Sequence, residues 1–190
     1  RSTLSLSNRW GELRLGRDYT PTFWTIGVPD PFGLQGVGNA GNIFVSAEIR
    51  GLAGAAASYG TLVRANNMVQ YILPNGQFGP GLYGQFAVAA GENAPANKYY
   101  GGRLGYAAGP YDVSAGYGHT DVTTNGSVTM GQWNLAGSWN FGVVKLSGYR
   151  GQINIDGLAG GDATQDNWFV GAAAPLGQWN LKASYGQVKQ

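Results

Sequence analysis

The chain has 190 residues, and only 12% of them are charged, whereas soluble domains average about 25%. Because cysteine is absent, the chain has neither a disulfide framework nor thiol chemistry, and its formal net charge of +2 is too small to suggest nucleic-acid binding. No run of about 18 apolar residues indicates a transmembrane helix. A β protein remains, either soluble or embedded in a membrane.

Apolar and polar residues alternate along ten segments of the chain, and this period of two predicts β-strands. In the first segment, 1–7, Leu4 and Leu6 alternate with serine and threonine. The other predicted strands lie at 11–18, 62–73, 85–88, 100–106, 111–117, 131–139, 144–147, 168–172 and 177–185. No helical period of about 3.6 residues competes with this pattern.

The connections between the predicted strands alternate between short and long. Short ones containing Asn, Gly or Pro lie near positions 8, 74, 108, 140 and 175, and long ones lie at 20–61, 91–98, 120–129 and 151–166. An up-and-down transmembrane β-barrel has short turns on one side of the membrane and long loops on the other. A soluble Greek-key sandwich does not maintain this order, so the sequence predicts an all-β antiparallel barrel.

The sequence G-Q-W-N-L occurs at 131–135 and again at 177–181, and it raises the question of which strand face is interior. In a soluble sandwich the Trp and Leu side chains would form the core, whereas in a membrane barrel they would contact lipid. Aromatic residues gather near the ends of the predicted strands, which is typical of the two membrane interfaces. The residues expected at these interfaces include Trp133, Trp139, Trp168 and Trp179.

Loops without secondary structure are seldom longer than about 12–15 residues, and the connection at 20–61 is much longer than that. It contains several large aromatic residues but only three charged ones, Asp30, Glu48 and Arg50. This composition suits packing against a wall better than exposure to water. We therefore expect this segment to fold into the barrel and narrow its lumen, the alternative being a disordered external loop.

The stretch R-S-T-L-S-L-S-N-R-W-G-E-L-R-L-G-R-D-Y-T-P at 1–21 resembles the fourth and fifth strands of Gram-negative general porins, especially those of the β-proteobacterial type. The segments L-V-R-A-N-N-M-V-Q-Y, Y-D-V-S-A-G-Y, W-N-F-G-V-V-K-L-S and N-W-F-V-G-A-A-A-P-L-G resemble later strands and turns. The resemblance thus covers essentially the whole chain. The connection at 20–61 stands where these porins have their inward-folded constriction loop.

The resemblance implies that residues 1–190 are part of a single sixteen-stranded barrel domain, as strands four to thirteen, and that further strands exist beyond them. It implies a homotrimer in the bacterial outer membrane, in contact with outer-membrane lipid and lipopolysaccharide. The implied function is passive diffusion of small hydrophilic solutes, with a preference for small anions and no nucleic-acid partner. No catalytic group of residues is apparent, and neither an enzyme activity nor a cofactor or metal is expected.

Fixed charges that face a narrow pore set its ion preference, and strand parity indicates which charged residues share the polar face. The basic residues that parity assigns to the polar face are Arg14, Arg64, Arg103, Lys145 and Lys182. The acidic residues on this face are Glu12, Asp18 and Asp112. The resemblance places Arg64 at the constriction, and we expect Arg14 there as well. Arg103, Lys145 and Lys182 are expected along the pore wall.

Arg17 presents a conflict. Alternation from Leu13 and Leu15 directs it toward lipid, where an arginine costs about 2–4 kcal/mol at the midplane, whereas the resemblance places it on the pore side. A bulge at Gly16 would reconcile the two, and we expect Arg17 at the constriction.

The resemblance also suggests an acidic residue on the inward loop, facing these arginines. Asp30 is the nearest match and Glu48 the second, although Asp30 also fits a plain Asp-Pro turn.

Two other functions fit parts of the sequence. One is a structural or adhesive outer-membrane barrel with a plugged lumen, and the other is a soluble β-sandwich that binds carbohydrate through exposed tryptophans.

Overall fold

A computed structural model of the chain describes residues 2–45, 60–74, 80–91, 98–123 and 125–190. These residues contain the ten predicted strands, most of which extend beyond the alternating segments of the sequence. The strands are β1 (Ser2–Asn8), β2 (Gly11–Tyr19), β3 (Arg64–Leu73), β4 (Leu82–Ala89), β5 (Lys98–Ala108), β6 (Tyr111–Asp121), β7 (Thr129–Asn140), β8 (Lys145–Asp156), β9 (Ala163–Leu176) and β10 (Trp179–Lys189).

Each strand pairs with its neighbour in the sequence. The ten strands form one antiparallel sheet in the order β1 to β10. Three hairpins have turns of only two residues, and these pair Asn8 with Gly11, Ala108 with Tyr111 and Leu176 with Trp179. The long connections all lie at the opposite ends of the strands. This order confirms the up-and-down topology. It also excludes the soluble sandwich, and with it the carbohydrate-binding alternative, because a sandwich requires two packed sheets.

The two faces of the sheet differ in a way that shows which face is interior. Large apolar side chains at every second position are exposed, for example Leu135 at 57% and Trp179 at 69%. The polar side chains between them are covered instead, and Gln70 and Gln132 are 0% and 1% exposed. A soluble sheet has the reverse arrangement, and a wall whose apolar face contacts lipid has this one. We call the apolar face the outer face and the other the inner face.

In the described part of the connection between β2 and β3 lie three short helices, which the alternation of the sequence does not indicate. They are α1 (Pro21–Gly27), α2 (Gly41–Phe44) and α3 (Gly60–Val63). α1 begins where the extended Thr20 precedes a proline, which is pre-organised for the first helical turn and needs no amide donor there. In the described part of the chain, every helix is too short or too polar to cross a membrane.

The connection between β2 and β3, here called the inward loop, lies against the inner face. Gln132 and Asn134 of β7 donate hydrogen bonds to Oγ1 and O of Thr22, at 2.8 and 2.9 Å. Farther along the sheet, Ser184 of β10 donates to the Gly38 carbonyl at 2.7 Å. α1 contacts β5, β6 and β7, and α2 contacts β9 and β10. The described part of the loop therefore folds inward, as predicted.

An internal apolar cluster joins the inward loop to the wall. Its members on the loop include Phe23, Ile26, Phe44 and Leu62, and those on the wall include Tyr149, Ile153, Ile155 and Phe169. β8 and β9 thus present apolar side chains to the inside. Met130 and Ala136 of β7 join them, whereas Gln132 and Asn134, which lie between these two on the same face of β7, are polar. The pairing of β8 with both neighbours is continuous from Lys145 to Ile155. In this part of β8 the apolar side chains therefore point inward and the polar ones outward. This reversal comes from the sequence of β8 and not from a bulge.

Replacement of Ile153 by alanine is expected to lower the free energy of unfolding by about 2–5 kcal/mol, because it leaves a cavity in the internal apolar cluster. Val143→Ala is the matched control, since Val143 is 76% exposed in the turn after β7 and should contribute less than about 0.5 kcal/mol. Denaturant unfolding in lipid vesicles measures both values. Equal costs for the two variants would contradict the internal position of Ile153.

Candidate functional site

Arg14 lies on the inner face of β2 between two carboxylates. Its Nε donates to Glu12 Oε1 at 2.7 Å, and its Nη1 donates to Asp18 Oδ2. Asp18 is almost completely buried, so the adjacent guanidinium offsets a charge that would be costly to bury alone. Arg14 thus occupies the predicted inner face, but two acidic groups balance its charge locally.

Arg17 follows an irregularity in β2. The pairing of β1 with β2 continues from Leu15 to Arg17, and the Arg17 side chain is exposed. The pairing of β2 with β3 shifts register between Gly16 and Asp18, and the extra residue belongs to β3, where Asn67 adopts a φ of 49°. Gly16 itself has a φ of 120°, so an irregularity is present where the sequence predicts a bulge. The direction of Arg17 toward the lumen stays a prediction.

Arg64 lies at the start of β3, beside the inward loop. Its guanidinium carbon is 4.7 Å from the centroid of the Tyr19 ring, and its Nη2 donates to the Tyr19 hydroxyl at 3.0 Å. The same ring contacts Phe23 and Trp24 of α1, at centroid distances of 4.9 and 5.5 Å. The Arg64 guanidinium therefore lies where β2, β3 and the inward loop meet, and the constriction is predicted at this point.

Arg103 lies on the inner face of β5 and is covered by aromatic rings. Its guanidinium carbon is 5.9 Å from the centroid of Trp24 on α1 and 5.1 Å from that of Tyr83 on β4. The Tyr83 hydroxyl in turn donates to Asp112 Oδ1 at 2.5 Å. Contacts between a cation and a ring contribute about 0.5–2 kcal/mol. Arg103 thus lies on the wall, as the sequence predicts. Its contact with Trp24 also holds α1 against the wall.

Lys145 of β8 and Lys182 of β10 lie on the inner face near the short turns, on either side of Ala173 of β9, with which both pair. Lys145 borders a polar depression of about 260 Å³ that also includes Asp112 and Ser138. The Lys182 ammonium is 5.8 Å from the ring centroid of Phe32 in the inward loop. Lys145 thus lies near one mouth of the lumen, whereas Lys182 reaches the loop itself.

Asp30 is buried inside the inward loop. Its carboxylate accepts hydrogen bonds from the N–H groups of Phe32, Leu34 and Ala40, at 3.0, 2.8 and 3.2 Å. An aspartate that binds backbone donors a few residues ahead stabilises a turn. Asp30 therefore holds the loop together rather than facing the arginines, which corrects its predicted placement. Glu48, the second acidic candidate, lies outside the described residues.

Sequence reasoning missed the aromatic partners of the arginines, which are Tyr19, Trp24 and Tyr83. The available signal was the position of Tyr19 and Trp24 on either side of the Thr-Pro helix start, next to the long loop. The described residues contain no group of three His, Asp or Glu side chains placed to hold a metal ion. The candidate site consists of fixed charges and aromatic rings between the inner face and the inward loop.

A sequence model described as Gram-negative porin matches residues 1–190. The chain belongs to the Gram-negative porin family. Its single up-and-down sheet, its exposed apolar face and its inward loop are features that the sequence predicted. The porin is accordingly a protein of the bacterial outer membrane.

The porin is 35% identical over 181 residues to outer membrane porin protein 32 of Delftia acidovorans, an alignment that covers 93% of this chain and 50% of that protein. An anion-selective porin from Comamonas acidovorans has a similar structure, with a TM-score of 0.82 and 31% identity over 99% of this chain and 56% of that one. A trimer form of OmpT from Vibrio cholerae shares the fold, with a TM-score of 0.70 and 15% identity over 98% and 57% of the two chains. The chain spans about half the length of the curated relative that it matches.

The tryptophans predicted at the membrane interfaces all lie on the outer face of the porin wall. Trp139 and Trp179 adjoin short turns, and Trp139 stacks on Tyr111 at a centroid distance of 5.6 Å. Trp133 and Trp168 lie in the other half of their strands, nearer the long loops. Two bands of rings at different heights correspond to the two aromatic girdles of transmembrane barrels. The depth of each ring in the membrane stays a prediction.

Asp30→Asn should lower the stability of the porin but change its ion selectivity little. The asparagine amide group cannot accept from all three N–H groups, and an unsatisfied buried donor costs about 1–3 kcal/mol. Glu12→Gln is the matched control, because it removes a partly exposed inner-face carboxylate beside Arg14. Unfolding free energy and reversal potential are measured for both. A larger selectivity shift for Asp30→Asn than for Glu12→Gln, without loss of stability, would contradict the structural role of Asp30.

Proposed function

We propose that the protein containing this chain is a general diffusion porin, through which small hydrophilic solutes and ions pass passively with a preference for anions. The observation that carries the proposal is the position of Arg64 on the inner side, beside a loop that is folded across the wall. The anion-selective porin from Comamonas acidovorans supports the same preference. No covalent step is involved, because fixed charges in a narrow aqueous passage suffice to discriminate between ions.

The basic residues of the inner face do not contribute equally to this preference. The two carboxylates of Glu12 and Asp18 outweigh the single charge of Arg14, so this group as a whole does not attract a passing anion. Arg103 is covered by rings and serves the attachment of the loop as well. Arg64 contacts a neutral tyrosine and lies at the edge of the loop. Among these three, we therefore assign the largest effect on selectivity to Arg64.

The assembly and the surroundings of the protein are also part of the proposal. A homotrimer is supported by the trimer form of the structurally similar OmpT. Outer-membrane lipid and lipopolysaccharide would contact the outer face, and small anionic solutes would pass along the inner one. The apolar outer side chains fit the first contact, and the amide and basic side chains fit the second.

A non-conducting structural or adhesive barrel is the second candidate. The internal apolar cluster favours it, because this cluster fills the space between the inward loop and β8 and β9 with side chains instead of water. A bilayer measurement separates the two functions, since a plugged barrel passes no current.

Arg64→Glu should shift the reversal potential under a salt gradient strongly toward cations. The substitution reverses a charge at the edge of the constriction, where the passage is narrow and screening by salt is weak. Lys182→Glu is the matched control, because it makes the same change of charge on an exposed side chain of β10. A shift for Lys182→Glu as large as that for Arg64→Glu would show that Arg64 is not the selectivity residue.

Deletion of residues 26–50 should raise the single-channel conductance, because it removes α2 and much of the loop that covers the inner face. Deletion of residues 125–127, which lie exposed in the connection between β6 and β7, is the control and should leave conductance unchanged. Planar bilayer recordings give both values. An unchanged conductance after the first deletion would mean that the loop does not narrow the lumen.

A further inference from the structure

The inward loop touches the backbone of the wall, and not only its side chains, at three glycines of the inner face. The first is Gly116 of β6. A methyl carbon added to it would lie 2.6 Å from Oγ1 of Thr25, 2.7 Å from Oδ1 of Asn134 and 3.4 Å from Cα of Thr22. Thr22 and Thr25 belong to α1, and the hydrogen bonds that Gln132 and Asn134 donate to Thr22 hold the helix at this distance.

The second and third glycines lie under a later part of the loop. A methyl carbon on Gly171 of β9 would lie 2.7 Å from Cγ and 3.0 Å from Cδ of Pro31. One on Gly186 of β10 would overlap Cδ1 of Ile43. We call Gly116, Gly171 and Gly186 the contact glycines. They lie on strands that are separated by others in the sheet from β2 and β3, to which the two ends of the loop are joined.

Backbone conformation does not require glycine at these three positions. None of the contact glycines has a positive φ, unlike the glycines of several turns. A glycine in the interior of a strand weakens the strand and often marks a point where another backbone approaches closely. Gly131 of β7 also lacks a positive φ, but a methyl carbon there would meet no atom within 4 Å. Close approach of the loop therefore distinguishes the contact glycines from Gly131.

The wall cannot withdraw from the loop at the contact glycines, because strand pairing holds it on both sides. Gly116 pairs with residues of β5 and β7, and Gly171 pairs with residues of β8 and β10. A side chain at either position would therefore have to move the loop. Non-bonded carbon atoms lie about 3.5–4.0 Å apart, so relief of a contact at 2.7 Å would shift the loop by about 1 Å. This shift points away from the wall and into the lumen.

We propose that the contact glycines set the width of the pore, because they allow the inward loop to lie directly on the backbone of the wall. The inference deepens the proposed function and rests on it, since width matters only in a protein that conducts. A wider passage admits larger hydrophilic solutes. The contact glycines therefore determine the size limit of the solutes, whereas Arg64 acts on their charge.

The test adds one methyl group to a contact glycine of the full-length porin. Gly116→Ala and Gly171→Ala should each lower the single-channel conductance in planar bilayers, and also the mass of the largest polyethylene glycol that enters the pore. Gly131→Ala is the matched control, because it makes the same change where the structure leaves room, and it should alter neither value. Gly186 is less suitable, since a methyl carbon there would also lie 2.8 Å from the Trp168 carbonyl oxygen within the wall.

A compensating substitution separates displacement of the loop from damage to the wall. Pro31→Ala removes Cγ and Cδ, the loop atoms nearest to Gly171, so the double variant should regain the conductance that Gly171→Ala loses. If Gly171→Ala does not fold, the double variant should fold, because the overlap is gone. A crystal structure of Gly171→Ala should show residue Pro31 about 1 Å farther from β9, which is a readout independent of current.

Unchanged conductance and size limit in Gly116→Ala and Gly171→Ala would overturn the proposal. A loss of equal size in Gly131→Ala would overturn it as well, and so would a double variant that conducts no better than Gly171→Ala. Absence of current from every sample, the unmodified porin included, would instead refute the proposed function. The position of Pro31 in the crystal would then still decide whether Gly171 sets the distance between the loop and the wall.

Discussion

Hydrocarbon offers no hydrogen-bonding partner to a backbone amide or carbonyl, and the rest of this structure depends on that constraint. A chain that crosses a membrane as strands must pair each strand with another, and here every strand pairs with its neighbour in the sequence. Antiparallel pairing with a period of two then separates the side chains into two faces. We expect lipid to contact the exposed face of Leu135 and Trp179, whereas the amides of Gln70 and Gln132 are buried on the inner face.

The inward loop modifies this arrangement in one part of the wall. A loop that carries Phe23, Ile26 and Phe44 must bury them, and an inner face lined only with amides offers no apolar partner. β8 supplies the partner by turning Ile153 and Ile155 inward without any change of register. Since successive side chains of a strand alternate between faces, the same stretch must point its polar residues outward. The internal apolar cluster and the polar residues Arg150, Gln152 and Asn154 on the outer face of β8 are therefore two consequences of one sequence pattern.

The three arginines of the inner face have the same guanidinium group but different contacts. Arg14 stabilises the buried Asp18, Arg103 packs between two rings, and Arg64 binds a tyrosine hydroxyl at the edge of the loop. The charge of a side chain is visible in the sequence, but its effect on a passing ion depends on the neighbours that balance or cover it. Those neighbours come from other strands and from α1.

The sequence by itself determined the ten strands, their consecutive order and the outward direction of the tryptophans, because a period of two and the spacing of turns are local properties of the chain. It also predicted the inward course of the long loop from its composition. Three features were decided only by the tertiary structure. The helices of the loop depend on burial against distant strands, and Asp30 is held by backbone groups up to ten residues away. The register shift opposite Gly16 has its extra residue in β3, the partner strand, so only the pairing of the two strands reveals it. In each case the deciding contact joins residues that local periodicity cannot relate, so only the folded chain could bring them together.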